Sequence, residues 1–297
     1  VKKVSGKYKG THVAIFPRPG NSEALKHSRD IAHWLADLKI SVASPFGKKL
    51  GAFVEPLANS ASINKTLDKL DLAIVIGGDG TYLRAAQILD GRPIPILGIN
   101  MGSLGFLTVT RVADSYKAIL DTLEKKMDFI SRSILEVTFV RRGKIKSRQH
   151  AINDAVIERS AGGHLINLGL YFEKQLVCEL KADGITIASP TGSTAYNLAA
   201  GGPIIHPDSR VFVCTPLNSH SLTTRPIVVP DNQTISIKLL SQVHPAFLTI
   251  DGENKEQLHP NDEVIIKRND RDHLIVREPS HNYFNILRDK LKFGERA

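Results

Sequence analysis

The stretch Leu72-Ala73-Ile74-Val75-Ile76-Gly77-Gly78-Asp79-Gly80-Thr81 limits what this chain can be more than any other. Leu72 to Ile76 is an unbroken apolar run rich in β-branched residues, the pattern of a buried strand. It stops on three glycines that frame one carboxylate. Glycine allows a positive φ, or lets a phosphate come close to the backbone. Thr81 to Leu89 then has helical spacing, with Leu83, Ala86 and Asp90 marking turns. Strand, glycine turn and helix start together offer free N–H groups and a positive dipole end to an anion. Asp79 sits among them, and a carboxylate is a poor phosphate ligand. Three tasks stay open for it: taking a proton from a hydroxyl, helping to hold a metal ion, or hydrogen-bonding its own turn backbone.

Around this stretch, residues 11 to 110 alternate strand and helix. Val13 to Phe16 and Ile40 to Ala43 read as strands. Asn21 is placed to cap a helix whose apolar stripe runs through Leu25, Ser28, Ile31/Ala32, Leu35 and Leu38. Ile94 to Ile99 is a further strand, with Pro95 pointing to an edge or an irregular position. Such alternation implies a parallel sheet covered by helices on both faces. Ligands then lie beyond the carboxyl ends of the strands, where Gly77–Gly80 and the loop Asn100-Met101-Gly102-Ser103-Leu104-Gly105-Phe106 fall.

Near residue 110 the period changes. After one helical segment, Ala113 to Lys125, period-2 stretches take over: Leu135–Val140, Ala151–Glu158, Leu165–Phe172, Gly184–Ala188, Val211–Thr215, Thr234–Leu240, Ala246–Ile250, Glu263–Lys267 and Leu274–Arg277. Short strands broken by Gly, Asn, Asp and Pro indicate an all-β second domain. The tail, with Tyr283, Phe284, Ile286, Leu287 and Leu291, reads as helix again. Residues 282–292 are expected to pack on the α/β part. The division expected is thus 1–110 plus 280–297, and 111–279.

Composition removes several classes. The 297 residues suit two domains, and 42% hydrophobic with 23% charged is ordinary for a soluble chain. No apolar run approaches a membrane span, and the basic start Val1–Gly10 has no apolar segment after it to make a secretion signal. A net charge of +9 suits anionic ligands, but aromatics are 6% and no Lys/Arg block is interleaved with them, so nucleic acid is not the expected partner. Cys178 and Cys214, far apart in sequence, point to a reducing, cytoplasmic setting. There is no GxxxxGK[ST] loop, GxGxxG fingerprint, HExxH pair or G-x-S-x-G elbow.

Further polar groups break the β pattern. At Ser189-Pro190-Thr191-Gly192-Ser193-Thr194 a strand runs into a hydroxyl-rich turn, then a small-residue helix that Gly201-Gly202-Pro203 stops. That turn is either a capped connection or a site for phosphate or ribose, with Tyr196 placed to stack on a base. Asn153-Asp154 interrupts an apolar strand, where buried polar side chains need partners. Asp251-Gly252-Glu253 ends another strand in a turn.

Gly77–Thr81, Asn100–Leu107, Asn153-Asp154, and Ser189–Tyr196 with Ala200–Pro203, in that order, resemble the NAD kinases. The likeness is collinear from about residue 11 to 290. It implies ATP-dependent phosphorylation of the 2′-hydroxyl of the adenosine ribose of NAD, with Mg²⁺ as the divalent metal. The implied fold is an α/β, Rossmann-like domain and a β-sandwich-like domain, with a C-terminal segment returning to the first. Asp79 is then the proton acceptor. Asn153, Asp154 and Thr194-Ala195-Tyr196 contact the adenosine end. Lys181 and Asp183 lie on the nicotinamide side or come from a neighbouring subunit. Nucleotide contacts are further implied for Gly78, Gly80, His164, Thr191, Asn197, Leu198, Ala199, Asp251 and Glu253. The family forms dimers or tetramers. Two departures stand out: Asn-Asp where members commonly have Asn-Glu, and Asp-Gly-Glu where many have Asp-Gly-Gln. The alternatives are a diacylglycerol-type lipid kinase and a non-catalytic NAD(H)-binding regulator.

Overall fold

The computed structural model describes residues 7–57, 63–161, 163–242, 245–280 and 282–292. The first six residues of the basic start and residues 293–297 of the tail lie outside them. The chain divides into two compact units, Val1–Ser131 with Leu274–Ala297, and Arg132–His273.

The first unit is built on a mainly parallel sheet. Its strand order is Glu55–Pro56, Ser41–Ser44, His12–Pro17, Leu72–Gly77, Ile96–Asn100, His273–Arg277 and Asp128–Arg132, with Thr110–Arg111 also paired to Ile96–Asn100. Leu72–Gly77 is buried at all six positions, as its apolar run requires. Helix Ser22–Asp37 starts where Asn21 Oδ1 accepts the Ala24 N–H at 2.7 Å. It buries Ala24, Ser28, Ile31, Ala32 and Leu35, so Ala24 takes the innermost place expected for Leu25. Ile96–Asn100 is an interior strand, and Pro95 stands just ahead of it, where a missing N–H costs no ladder bond.

Two segments read from periodicity alone belong elsewhere than expected. Helix Ser115–Leu123 is part of the first unit, burying Ala118 and Ile119. Strand His273–Arg277 pairs in parallel with Ile96–Asn100 through Ile275 and Ile96, and so is no strand of the β-sandwich. A short β-branched run reads the same in either sheet; only its partner distinguishes them. Helix Tyr283–Leu291 is capped by Asn282 and lies in the first unit, with Ile286 and Leu287 buried and Tyr283 6.5 Å from the Phe106 ring.

The second unit holds two six-stranded antiparallel sheets. In order these are Ile227–Pro230, Val211–Leu217, Gly184–Ala188, Asp154–Arg159, Ala246–Ile250, Glu253–Leu258, and Gln175–Ala182, Ile166–Phe172, Ile235–Leu239, Glu263–Arg268, Leu135–Arg141, Lys144–Ala151. Inward residues of both sheets, among them Leu168, Ile185, Phe212 and Val264, form one core, the construction of a β-sandwich. The strand expected over Ala151–Glu158 runs instead over Asp154–Arg159; Ala151 ends a separate strand, Lys144–Ala151, and a bend at Ile152-Asn153 divides the two.

Candidate active site

Helix Asp79–Leu89 begins two residues earlier than its apolar spacing suggests, with Gly78 as N-cap. Tyr82, Ala85, Ala86 and Leu89 make the buried stripe, so the turns run through Tyr82 rather than Leu83, and Asp90 ends the helix in the left-handed region. Gly77, Gly78 and Gly80 all avoid positive φ. Gly77 is required by packing, because a Cβ there would meet Thr81 Oγ1 at 2.5 Å. At Gly78 and Gly80 a Cβ would meet nothing within 4 Å. Internal packing therefore does not explain these two glycines. Open space above a helix N-terminus, where the first N–H groups have no intrahelical partner, suits a phosphate.

Asp79 does not bond its own turn. Its carboxylate is held by the loop that follows Ile96–Asn100. Oδ2 accepts the Phe106 N–H at 2.8 Å. Oδ1 accepts the Leu107 N–H at 3.1 Å, the Thr108 N–H at 3.0 Å and the Thr108 hydroxyl at 2.9 Å. Gly105 is forced by this approach, since a Cβ there would stand 2.1 Å from Asp79 Oδ1. The loop is held from behind. Asn100 Nδ2 donates to Thr108 Oγ1 at 2.9 Å, and the buried Arg277 donates to the Phe106 carbonyl at 2.9 Å. Thr108 and Arg277 were not singled out by sequence; Arg277 lies nearly 200 residues from Asp79, on a strand whose own pattern does not show which sheet it joins.

In the second unit the Ile152–Asp154 bend is enclosed from two sides. Asp251 takes the N–H groups of all three residues, Ile152 on Oδ2 at 2.8 Å, Asn153 and Asp154 on Oδ1 at 2.8 and 3.1 Å. From the other side Ser189 Oγ donates to the Ile152 carbonyl and Ser189 N to the Asn153 carbonyl. A Cβ at Gly192 would meet the Asn153 carbonyl oxygen at 2.1 Å. The Asp154 carboxyl is buried close to Asp251. Burial first, then the Asp251 charge, pushes its pKa up to about 7, against the pull of the Tyr196 backbone N–H. Burial likewise pushes Asp251 up to about 6, although its three backbone donors favour the charged form.

The turn after Gly184–Ala188 is a 3-10 turn, Thr191–Thr194, and a short helix, Tyr196–Ala199. Ser189, Ser193 and Asn197 are fully buried. Asn197 Nδ2 donates to the Ser193 and Pro203 carbonyls, both at 3.0 Å, and its Oδ1 accepts the Thr215 hydroxyl at 2.6 Å. The Asn197 amide thus closes the turn on which Thr191 to Ala199 stand. Tyr196 is 44% exposed and lines a cavity of about 660 Å³ with Glu158, Arg159, Asp183, Asn218 and Phe247. Arg159 and Asn218 grip Asp183 and hold its carboxyl below the usual range, Arg159 more strongly. Tyr196, expected at the adenosine end, and Asp183, expected on the nicotinamide side or from a neighbouring subunit, line one cavity. Lys181 and His164 are exposed and outside its lining, and Glu253 opens the strand Glu253–Leu258. No group of three or more His, Cys, Asp or Glu side chains able to hold a metal occurs among the described residues.

The sequence matches the ATP-NAD kinase N-terminal domain over residues 13–127 and the ATP-NAD kinase C-terminal domain over residues 152–278. The chain belongs to the NAD kinase family. A relative from Bdellovibrio bacteriovorus, named NAD kinase, is 46% identical across 96% of this chain and 92% of its own. An NAD kinase from Geotalea daltonii is 37% identical over 96% and 99%. Two solved structures share the fold: yeast NADH kinase complexed with NADH, TM-score 0.86 at 24% identity over 97% of this chain and 89% of that one, and an Archaeoglobus fulgidus NAD kinase in complex with ATP, TM-score 0.70 at 22% identity over 95% and 98%. As an NAD kinase the chain is an enzyme, which removes the non-catalytic regulator and leaves the lipid-kinase alternative without support.

Proposed function

We propose that this NAD kinase transfers the terminal phosphoryl group of ATP to the 2′-hydroxyl of the adenosine ribose of NAD, with Asp79 as general base. The observation that carries the role of Asp79 is its uneven hydrogen bonding. Oδ1 already accepts three bonds, whereas Oδ2 accepts only the Phe106 N–H. A carboxylate oxygen accepts about two, so Oδ2 keeps a lone pair while the loop fixes its direction. As the ribose oxygen bonds to phosphorus, its proton passes to Oδ2, and ADP leaves with the electrons of the broken bond. The N–H groups at the start of helix Asp79–Leu89, under the open space at Gly78 and Gly80, are suited to the charge on the phosphates.

Mg²⁺ is assigned to the substrate, as MgATP, because this ion keeps several waters and is held largely by substrate phosphates. In the second unit, Asn153 and Asp154 are assigned to the adenosine end of NAD, and Tyr196 to stacking on a base. Homo-oligomers are proposed as well, supported by Leu176 and Val177, apolar and exposed on the edge strand Gln175–Ala182. Two free cysteines suit a cytoplasmic setting. The deciding experiment follows NADP formation from NAD and MgATP. Purified protein that turns over NAD supports the reading, and an inactive, folded protein overturns it.

A further inference from the structure

Asp251 was expected to contact nucleotide, yet its carboxylate faces backbone. It lies in the left-handed region at φ 47, and its own N–H donates to the Asp154 carbonyl at 3.0 Å. Its two oxygens then take three successive N–H groups, those of Ile152, Asn153 and Asp154. A carboxylate has about four acceptor sites, so one remains. Three neighbouring N–H groups converging on one anion form a concavity that elsewhere holds a bound anion; here the chain supplies the anion itself. The bend cannot relax on its other side, where Ser189 holds two carbonyls and Gly192 lies against Asn153. Asn153 lies in this bend, and Asp154 opens the strand that leaves it, paired with Ala188.

We propose that Asp251 is a positioning residue. It fixes the Ile152–Asp154 backbone and so aims the side chains of Asn153 and Asp154 at NAD, without touching nucleotide itself. The inference rests on the proposed role of those two residues in holding NAD. It separates Asp251 from a ligand group, which would leave the free backbone unaffected on mutation, and from a general stabiliser, which would loosen the whole sheet.

The test is Asp251→Asn, which keeps the shape but offers one acceptor oxygen to three donors. Charge-assisted bonds are the strong ones. The KM for NAD should therefore rise about tenfold or more, with the KM for ATP within about twofold of the parent. Amide hydrogen exchange on the ligand-free variant should accelerate about tenfold or more at residues 152–154 and stay unchanged in strands Val211–Leu217 and Glu263–Arg268. Should Asp251→Asn fail to fold, Ser189→Ala, which loosens the same bend from its carbonyl side, should show the same pattern more weakly. Unchanged exchange at 152–154 overturns the inference, as does faster exchange throughout the sheet or an unaltered KM for NAD. The exchange measurement needs no turnover. A parent that makes no NADP overturns the proposed function instead, and leaves exchange to decide the role of Asp251.

Discussion

Asp79 Oδ1 accepts both the Thr108 N–H, at 3.0 Å, and the Thr108 hydroxyl, at 2.9 Å. One residue thus donates twice to the oxygen that is not assigned the proton, which leaves Oδ2 as the working atom. Thr108→Val keeps the shape and the backbone bond but removes the hydroxyl. It also strips Asn100 Nδ2 of one acceptor, leaving it the Thr108 carbonyl at 3.2 Å. Losing a buried partner costs about 1–3 kcal/mol. The variant should lose that much stability by denaturant unfolding and roughly tenfold in kcat. Parent-like kcat would show that the loop does not orient the base.

Gly105 and Gly78 should respond oppositely to alanine. At Gly105 the new methyl would fall 2.1 Å from Asp79 Oδ1, whereas at Gly78 it meets nothing within 4 Å. Misplacing a reacting group by about 1 Å can cost about 10²-fold, so Gly105→Ala should lose kcat on that scale. Gly78→Ala should keep the parent Tm but raise the KM for ATP about tenfold, because the methyl occupies space assigned to phosphate. An unaltered KM for ATP would mean that phosphate does not approach there.

Tyr196 is 44% exposed in the cavity beside Asp183. Stacking on a base is worth about 1–3 kcal/mol. Tyr196→Ala should weaken NAD binding roughly 5- to 150-fold by calorimetry. A dissociation constant changed less than about twofold would rule out stacking.

The buried carboxyls make stability depend on pH. Asp154 and Asp251 bind protons more tightly folded than unfolded, with folded pKa values of about 7 and about 6. Their contribution is complete below about pH 4 and is lost as pH rises through 6 to 7. His273 acts the other way: burial, then Arg132, pushes it down to about 3, so its contribution is present above about pH 6.5 and lost on acidification. A difference between variants isolates the carboxyls. Asp154→Asn should gain Tm relative to the parent between about pH 5 and 8. A constant difference across that range would contradict the assignment.

What sequence showed and what it hid have one physical cause. Interior strands such as Leu72–Gly77 and Ala246–Ile250 were legible because burial writes an apolar pattern. In the β-unit the strands that escaped, Lys144–Ala151, Gln175–Ala182, Ile227–Pro230 and Glu253–Leu258, are the four sheet edges. An edge strand is less enclosed, so its side chains are freer of the core pattern: Lys144-Ile145-Lys146-Ser147-Arg148 is charged, and Ile227–Pro230 is only four residues long and ends on proline. Of the residues proposed for the site, Asp79, Asn153 and Tyr196 stand out in motifs. The clamp of Phe106–Thr108 on Asp79 and of Asp251 on Ile152–Asp154 could not, because backbone N–H groups have no signature in side-chain identity.

The role of Asp79 is tested most directly by the kcat of Asp79→Asn in NADP formation, with NAD binding measured on the same protein. Asparagine keeps the size and one acceptor oxygen but cannot take the ribose proton. General-base catalysis contributes about 10²–10⁴-fold, so kcat should fall by that order while the NAD dissociation constant stays within about twofold. A kcat within about threefold of the parent would contradict the assignment of Asp79 as the base.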